Sequence, residues 1–559
     1  MKTAPSLQKL RGGYYTPDII SRFLSEWAIQ KPSARVLEPS CGDGAFLEAA
    51  ARRLRQLGAR PSSIREKLTG AEVDAKEARK AEKRLFEATG VAFEKRVHRG
   101  DFFQFCRNQL VGTKFDAILG NPPFIRFQHF PEEHRDAAFS LMADMGLHPN
   151  RLTNAWLPFI AVCIELLSEH GRLAMVVPAE LLQVNYAAEL RRFLGDKCHR
   201  ITVFTFRRLV FEGVQQEIVL LCAERDGGGA TGIRTIELED LDELIEYEHT
   251  AFDQEDLKLM DHSEEKWTQY FLSNQQIQLL RLMRASTAVT ALGDLADVQV
   301  GVVTGINDFF VLRQDMIDSL QADSHSMRLV SRSGHLQGTT FKKRDWTRNA
   351  EANLPAFLLT LPEVSIAKLP LSLATYVRAG EKRGWHTGFK CRIRTPWYKV
   401  PSTWIPDGFM LRQIHDRPRI FVNEARATST DTIHRVRVHQ GVDVRRLAAS
   451  AYNSLSFAFS EVLGRSYGGG VLELEPREAT QLPVPYAHAA KLDSDRLDRM
   501  LRAGETDEAL EYSDNILLKR GMGLSDRQIL SLRRVWITLR DRRAGRKLRA
   551  ELSEAGSAE

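Results

Sequence analysis

The run from Arg35 to Leu57, RVLEPSCGDGAFLEAAARRLRQL, leaves the chain that contains it little freedom. An apolar strand ends at Glu38, a turn carries Gly42 and Gly44, and an amphipathic helix follows, which is the first βα unit of a nucleotide-binding sheet. The two glycines remove side chains where a ligand must lie against the backbone. A pair of glycines by itself fits an NAD-type turn or a ligand-free one equally well, so the residues at further strand ends must decide the ligand.

Three more such ends follow in order. In LTGAEVDAKEA, Glu72 closes a second strand thirty residues after Gly42, where a carboxylate accepts both hydroxyls of a ribose. HRGDFFQF then offers Asp101 to an adenine amino group and Phe102 to its ring. FDAILG reads as a buried strand, and Asn121-Pro122-Pro123-Phe124 sits in the loop at its carboxyl end, where open α/β sheets place their ligands. Successive prolines contribute no N–H and fix φ, so the amide of Asn121 and the carbonyl of Pro122 become two rigid acceptors. Phe124 adds a flat apolar face beside them, and the set suits a planar ring bearing an NH2 group, such as adenine. Taken singly, Asn-Pro-Pro is a turn and each acid is a solvated loop residue.

Taken together and in this order, the motifs resemble the gamma class of S-adenosylmethionine-dependent DNA adenine-N6 methyltransferases, the Taq-type and Eco57I-like family, over residues 11 to 223. The family's GxxxTP segment is matched by Gly12-Gly13-Tyr14-Tyr15-Thr16-Pro17, and EPSCGDGxF, the acid of the second strand, GDF and NPPF follow in the family's order. The resemblance implies an α/β fold: a class I methyltransferase Rossmann-like seven-stranded sheet with a reversed last strand, then a mixed α/β target recognition domain and a helical C-terminal segment. It implies S-adenosyl-L-methionine as cofactor, held by Thr16, by Glu38, Pro39, Cys41, Gly42 and Gly44 of the first loop, and by Glu72, Asp101 and Phe102. It also implies catalysis by Asn121 and Pro122, with the target base stacked on Phe124 and, from the connector RRLVFEGVQ, on Phe211. The lack of a third phosphate-binding glycine agrees with a cofactor that has no pyrophosphate. The implied activity is methyl transfer to N6 of an adenine flipped out of double-stranded DNA, in a restriction-modification system. An N5-glutamine protein methyltransferase and an RNA adenine-N6 methyltransferase, which use the same NPPF chemistry, remain alternatives; the glutamine enzymes are much shorter.

At 559 residues the chain exceeds what one core supports. The expected division is a catalytic domain at 1–245, a junction at 246–289, a recognition domain at 290–490 and a basic helical segment at 491–559. After NPPF come an expected helix over Asn154 to Ser168, the strand RLAMVVP, a second helix PAELLQVNYAAELRRFL, and the strands HRITVFTF and QEIVLLCA as a final hairpin. Asp226 to Gly232 then reads as the edge of the domain. Between Glu237 and Asp256 stand ten acids and no Lys or Arg, a span expected to face away from DNA or brace the junction. VQVGVVTGINDFFVL resembles the opening of the family's recognition domain, and RSYGGGVLELEPREATQLPVP (Arg465 to Pro485) resembles a motif near its end.

Between these two segments, Glu381 to Lys399 interleaves six Lys/Arg with Trp385, Phe389, Trp397 and Tyr398. Basic groups neutralise phosphates and aromatics stack on bases, so Lys390, Arg392, Arg394, Trp397 and Tyr398 are the expected DNA-binding residues. A strand edge with core aromatics is the competing reading. Ser531 to Ala550 holds eight Lys/Arg and one Asp, and is expected to brace the domain, touch flanking DNA or fray. The net charge of +6 permits a polyanionic partner. Six scattered cysteines without a CxxC pair argue against a zinc site or a disulfide framework, so no metal is expected. There is no apolar run of membrane length and no leader-like h-region at the amino terminus, which makes a cytoplasmic protein, DNA-associated and off the membrane, the expectation. No convincing Pro-Asp with a following Glu-x-Lys is found, and too little chain precedes Gly12 for a nuclease domain, so the expected companion is a separate cognate restriction endonuclease.

Overall fold

The computed structural model describes residues 16–93, 96–208, 210, 217–226, 228, 230–248, 256–261, 265–467 and 470–556. It divides into two units, 1–274 together with 549–559, and 275–548. In chain order the first unit runs α1 (Asp18–Ala28), β1 (Val36–Glu38), α2 (Ala45–Gln56), α3 (Pro61–Lys67), β2 (Leu68–Glu72), α4 (Ala75–Thr89), β3 (Val97–Arg99), α5 (Phe102–Gln109) and β4 (Phe115–Gly120). It continues with α6 (Glu132–Asp144), α7 (Trp156–Leu166), β5 (Leu167–Pro178), α8 (Ala188–Lys197), β6 (Arg200–Phe206), β7 (Ile218–Glu224), β8 (Gly232–Leu238) and α9 (Leu241–Glu246).

Among the described residues the strands form one sheet in the order β3-β2-β1-β4-β5-β7-β6-β8. β1 to β5 are mutually parallel, and β7 is antiparallel to both its neighbours, β5 and β6. This is the expected class I methyltransferase sheet with its reversed strand, and the pattern of burial explains it. β7, IVLLCAE, is buried at every position, as a strand covered on both faces must be. The amphipathic α2 turns Phe46, Leu47, Ala50, Ala51 and Leu54 inward and leaves Arg52 and Arg55 facing out.

The sheet departs from expectation at its edge. The segment at 226–232 does not end it, because β8 pairs in parallel with β6 from Arg200↔Gly232 to Phe206↔Leu238 and adds an eighth strand. The acidic run that begins in β8 is partly neutralised within the first unit: Glu237 lies 3.2 Å from Arg207, and Asp240 2.9 Å from Arg208. Two helices are also shorter than their sequence pattern. α7 stops at Leu166 and Leu167 opens β5. Between Ala179 and Ala187 two 3₁₀ turns replace a continuous helix, and α8 starts only at Ala188. The buried Arg191 guanidinium takes the carbonyls of Leu181 (3.0 Å) and Val184 (2.9 Å), which bends this stretch away from an α-helical ladder.

The second unit carries a mixed sheet of strands Ala296–Gln299, Ile433–Val438, Gly408–Leu411, Ile420–Asn423 and Thr340–Phe341, in that spatial order. Thr290 and Ala291, at the expected start of the recognition domain, pair antiparallel with Val484 and Pro483 of the segment near its expected end. The basic helix Asp526–Gly556 uses its charges on structure. Arg543 and Glu461 form a buried bidentate pair at 2.8 and 2.9 Å, Arg533 meets Asp514 at 3.2 Å and Arg540 meets Asp416 at 2.9 Å. No helix among the described residues is long and apolar enough to cross a membrane.

Candidate active site

The residues singled out in the sequence gather at the carboxyl ends of β1, β2, β3 and β4. The first loop turns sharply, with Gly42 at φ +49° and Gly44 at φ +90°. Gly44 is required twice over, because a Cβ there would lie 2.8 Å from Cα and Cβ of Ala81 on α4, in a conformation L side chains rarely adopt. Arg84, also on α4, grips the loop through Asp43 at 2.9 Å and further pairs with Glu48 and with Asp18. Cys41 is buried, and its N–H donates to Ala71 O at 2.9 Å, which ties the loop to β2.

Glu38 is buried at 3 % exposure, and Oε2 accepts the Leu47 N–H at 2.9 Å. Burial pushes its carboxyl well above the usual range against that single N–H bond. The side chain thus fastens the start of α2 and shapes the loop from below. Glu72 spans the next gap: Oε2 accepts Gly42 N–H and Oε1 accepts Asp74 N–H, each at 2.8 Å. Its carboxyl is raised by burial, opposed by the two N–H groups. Gly100 N–H donates to Glu72 O at 3.0 Å and brings the third strand end alongside.

There Asp101 caps α5, with Oδ1 accepting Gln104 N–H at 2.9 Å and Oδ2 lying 3.6 Å from Nδ1 of His134 on α6. Burial raises its carboxyl, while the Gln104 N–H and His134 pull the other way. Phe102 is 3 % exposed and stacks on Phe159 at 5.3 Å, against Phe103. Its ring is part of the core beneath the site.

At β4, Asn121 Nδ2 donates to Thr16 Oγ1 at 3.2 Å, and Ser40 Oγ approaches Asn121 O at 3.4 Å. The GxxxTP threonine, the first loop and NPPF are therefore one cluster, and the Thr16 bond sets which way the amide faces. Pro122 is buried and Phe124 half-buried. The Gly12 to Tyr15 part of the first motif and the proposed stacking residue Phe211 lie outside the described residues.

The sequence reading missed the support of the NPPF loop. Asn154 Oδ1 accepts Phe127 N–H at 3.2 Å and its Nδ2 donates to Tyr186 Oη at 2.9 Å, while Ala155 N–H bonds Ile125 O at 2.9 Å. Tyr186 in turn donates to Glu180. Asn154 and Tyr186 are polar residues within apolar patterns that read as helix, and this was the signal available.

The expected DNA-binding set divides. Trp397 (9 % exposed) and Tyr398 (2 %) belong to the core of the second unit: Trp397 packs on Phe309 at 4.7 Å with Nε1 donating to Glu381 at 3.1 Å, and Tyr398 Oη donates to Val364 O. These rings meet other side chains at tilted and edge-on angles within the core and are corrected from base-facing to structural. Arg394 likewise spends its guanidinium on the carbonyls of Thr304 and Val303, both at 2.7 Å. Lys390 and Arg392 are exposed.

Two family models match: N-6 DNA methylase over residues 1–278, and the C-terminal domain of the Type II methyltransferase M.Eco57I over 264–518. The chain is similar to the Type II methyltransferase M.AccI of Acinetobacter calcoaceticus, 22 % identical over 487 residues covering 83 % of each protein. It is also similar to M.XamI of Xanthomonas campestris pv. amaranthicola, 24 % identical over 497 residues covering 85 % of each. Among solved structures it shares its fold with the Type IIL restriction-modification enzyme MmeI in complex with DNA (TM-score 0.53, 13 % identity, 91 % of this chain and 73 % of that one). The same holds for the DrdV-DNA complex (TM-score 0.50, 12 % identity, 89 % and 58 %). With one model covering the sheet and its strand-end cluster and the other the unit that follows, the chain belongs to the N-6 DNA methylases, in their Eco57I-like group.

Proposed function

We propose that the chain is a site-specific DNA methyltransferase of a restriction-modification system that methylates N6 of adenine, with S-adenosyl-L-methionine as methyl donor. The observation that carries this reading is the Asn121 amide held by Thr16 beside Pro122, within one cluster that also contains the Gly42–Glu72 contact. The residues fit the cofactor: the Cβ-less turn at Gly42 and Gly44 admits it, Glu72 matches a ribose diol, and Asp101 matches an adenine amine. When bound, S-adenosylmethionine supplies an electrophilic sulfonium methyl group.

The protein supplies orientation. The lone pair of an adenine amine is delocalised into the ring, which makes the amine a poor nucleophile. Asn121 Oδ1 and Pro122 O each accept one of its N–H bonds, so the nitrogen is drawn toward tetrahedral geometry and its lone pair is aimed out of the ring plane. An amide suffices because no strong base is needed. The base must leave the duplex to reach the pocket, and Phe124 replaces part of the lost stacking, about 1–3 kcal/mol per base. Offering the purified protein unmethylated DNA, RNA and a protein extract side by side with labelled cofactor, then identifying the labelled product, tests the reading: label in N6-methyladenine of DNA supports it, and label confined to RNA or to protein glutamine overturns it.

Asp101 separates cofactor binding from folding. Asp101→Asn retains a good N-cap but removes the charged acceptor, so cofactor affinity by calorimetry is expected to fall about tenfold with thermal stability unchanged. Unchanged affinity would reduce Asp101 to a helix cap.

A further inference from the structure

The basic aromatic stretch of the second unit has a feature that its core residues do not explain. Phe389 and Ile393 are 64 % and 63 % exposed, four residues apart across the short helix Phe389–Arg392, which puts both on one face. The turn that carries them is held at several points. Cys391 is fully buried, Arg394 is bonded to Val303 and Thr304, and the N–H groups of Cys391 and Arg392 both close on Gly388 O at 2.9 and 2.8 Å. The backbone of Gly305 lies directly beneath, where a Cβ would meet Lys390 Cβ at 2.8 Å. Two large apolar side chains on a fixed mount face water.

Their surroundings are basic. Lys382, Arg383, Lys390 and Arg392 are exposed, and none has an ion pair among the described residues. Lys390 lies over the Phe389 ring at 5.7 Å, which keeps this cation at the apolar tip, and Arg383 lies over the Trp385 ring of the same stretch at 5.1 Å. Glu381, the acid of the stretch, is engaged by Trp397. An apolar centre with an unpaired cationic rim is complementary to a polyanion that can also offer apolar surface. Duplex DNA does so at a base step that opens, where phosphates meet the rim and an apolar side chain enters the stack.

We propose that the Phe389–Ile393 turn is a wedge that enters the DNA at a base step, with Lys382, Arg383, Lys390 and Arg392 on the flanking phosphates. The proposal rests on the reading of the chain as a DNA methyltransferase. Its test uses the full-length protein, a Phe389→Ala/Ile393→Ala double variant, and cognate duplexes carrying 2-aminopurine at successive positions. The wild type should give a fluorescence increase at the target adenine and a second one at the wedged step. The double variant should lose the second signal and bind the intact duplex about tenfold more weakly, with cofactor affinity and melting temperature unchanged. A duplex with an abasic site at that step should restore its binding. Arg392→Ala should lower the slope of log affinity against log salt by about one.

A double variant that binds and reports like the wild type overturns the wedge while leaving the methyltransferase reading intact. Loss of binding to anionic lipid vesicles with DNA binding unchanged overturns it in favour of a membrane surface. A wild type that methylates no DNA overturns the reading on which the proposal stands.

Discussion

Asn121→Ala is expected to slow single-turnover methyl transfer by about 10²- to 10³-fold while leaving affinity for S-adenosylmethionine nearly intact, because it removes an acceptor used by the reacting amine and not by the cofactor. Asn121 is well suited to that role, since Nδ2 already donates to Thr16. Thr16→Val should give a smaller loss of rate, by loosening the amide without deleting it, together with a loss of cofactor affinity that Asn121→Ala does not show, because the resemblance also puts Thr16 on the cofactor. Quench-flow rates and calorimetry on the same preparations separate the two quantities. Loss of cofactor affinity in parallel with rate would place Asn121 in the cofactor site instead.

Trp397→Ala is expected to destabilise the second unit by about 3–5 kcal/mol, the usual range for deleting a buried tryptophan. The indole fills space between Phe309, Phe310 and Tyr398, and a Cβ at Gly380 would already lie 3.0 Å from its ring. Denaturant unfolding reads the effect directly. A variant of unchanged stability that bound DNA poorly would return Trp397 to the DNA surface.

Trp397 and Phe389 also show what the sequence could not decide. Both are aromatic, both stand among Lys and Arg, and they are eight residues apart, yet one is in the core and the other is exposed. Local composition does not separate them, because the difference lies in Phe309 and Tyr376, which arrive from other parts of the chain. The cofactor sheet was legible for the opposite reason. Each of β1, β2 and β4 is a short apolar run, and the residue that carries chemistry stands at or directly after its end, so strand and function point to the same place.

The misreadings followed the same logic. β8, GIRTIEL, mixes polar and apolar residues after a glycine-rich run and is defined by its pairing with β6, a non-local contact. The break at 179–187 depends on the Arg191 side chain reaching back to two carbonyls. Glu38 and Phe102 belong to motifs read from the sequence, but their side chains point into structure: one fastens α2 and the other stacks on Phe159. A motif marks where a site is, and the contacts of each side chain within it separate ligand from scaffold.

Methylation of adenine at a defined DNA sequence by this cluster can be read from the genome of a cell that carries the protein. The wild-type protein and Asn121→Ala are expressed in parallel in a host free of DNA methylation, and every modified base in the host genome is mapped. N6-methyladenine is expected at one short recurring motif in the wild-type sample, nearly complete there, and at background in the Asn121→Ala sample. Unmodified adenine in both samples, methylation without a common motif, or a motif that persists after Asn121→Ala would contradict methylation at a defined sequence by this cluster.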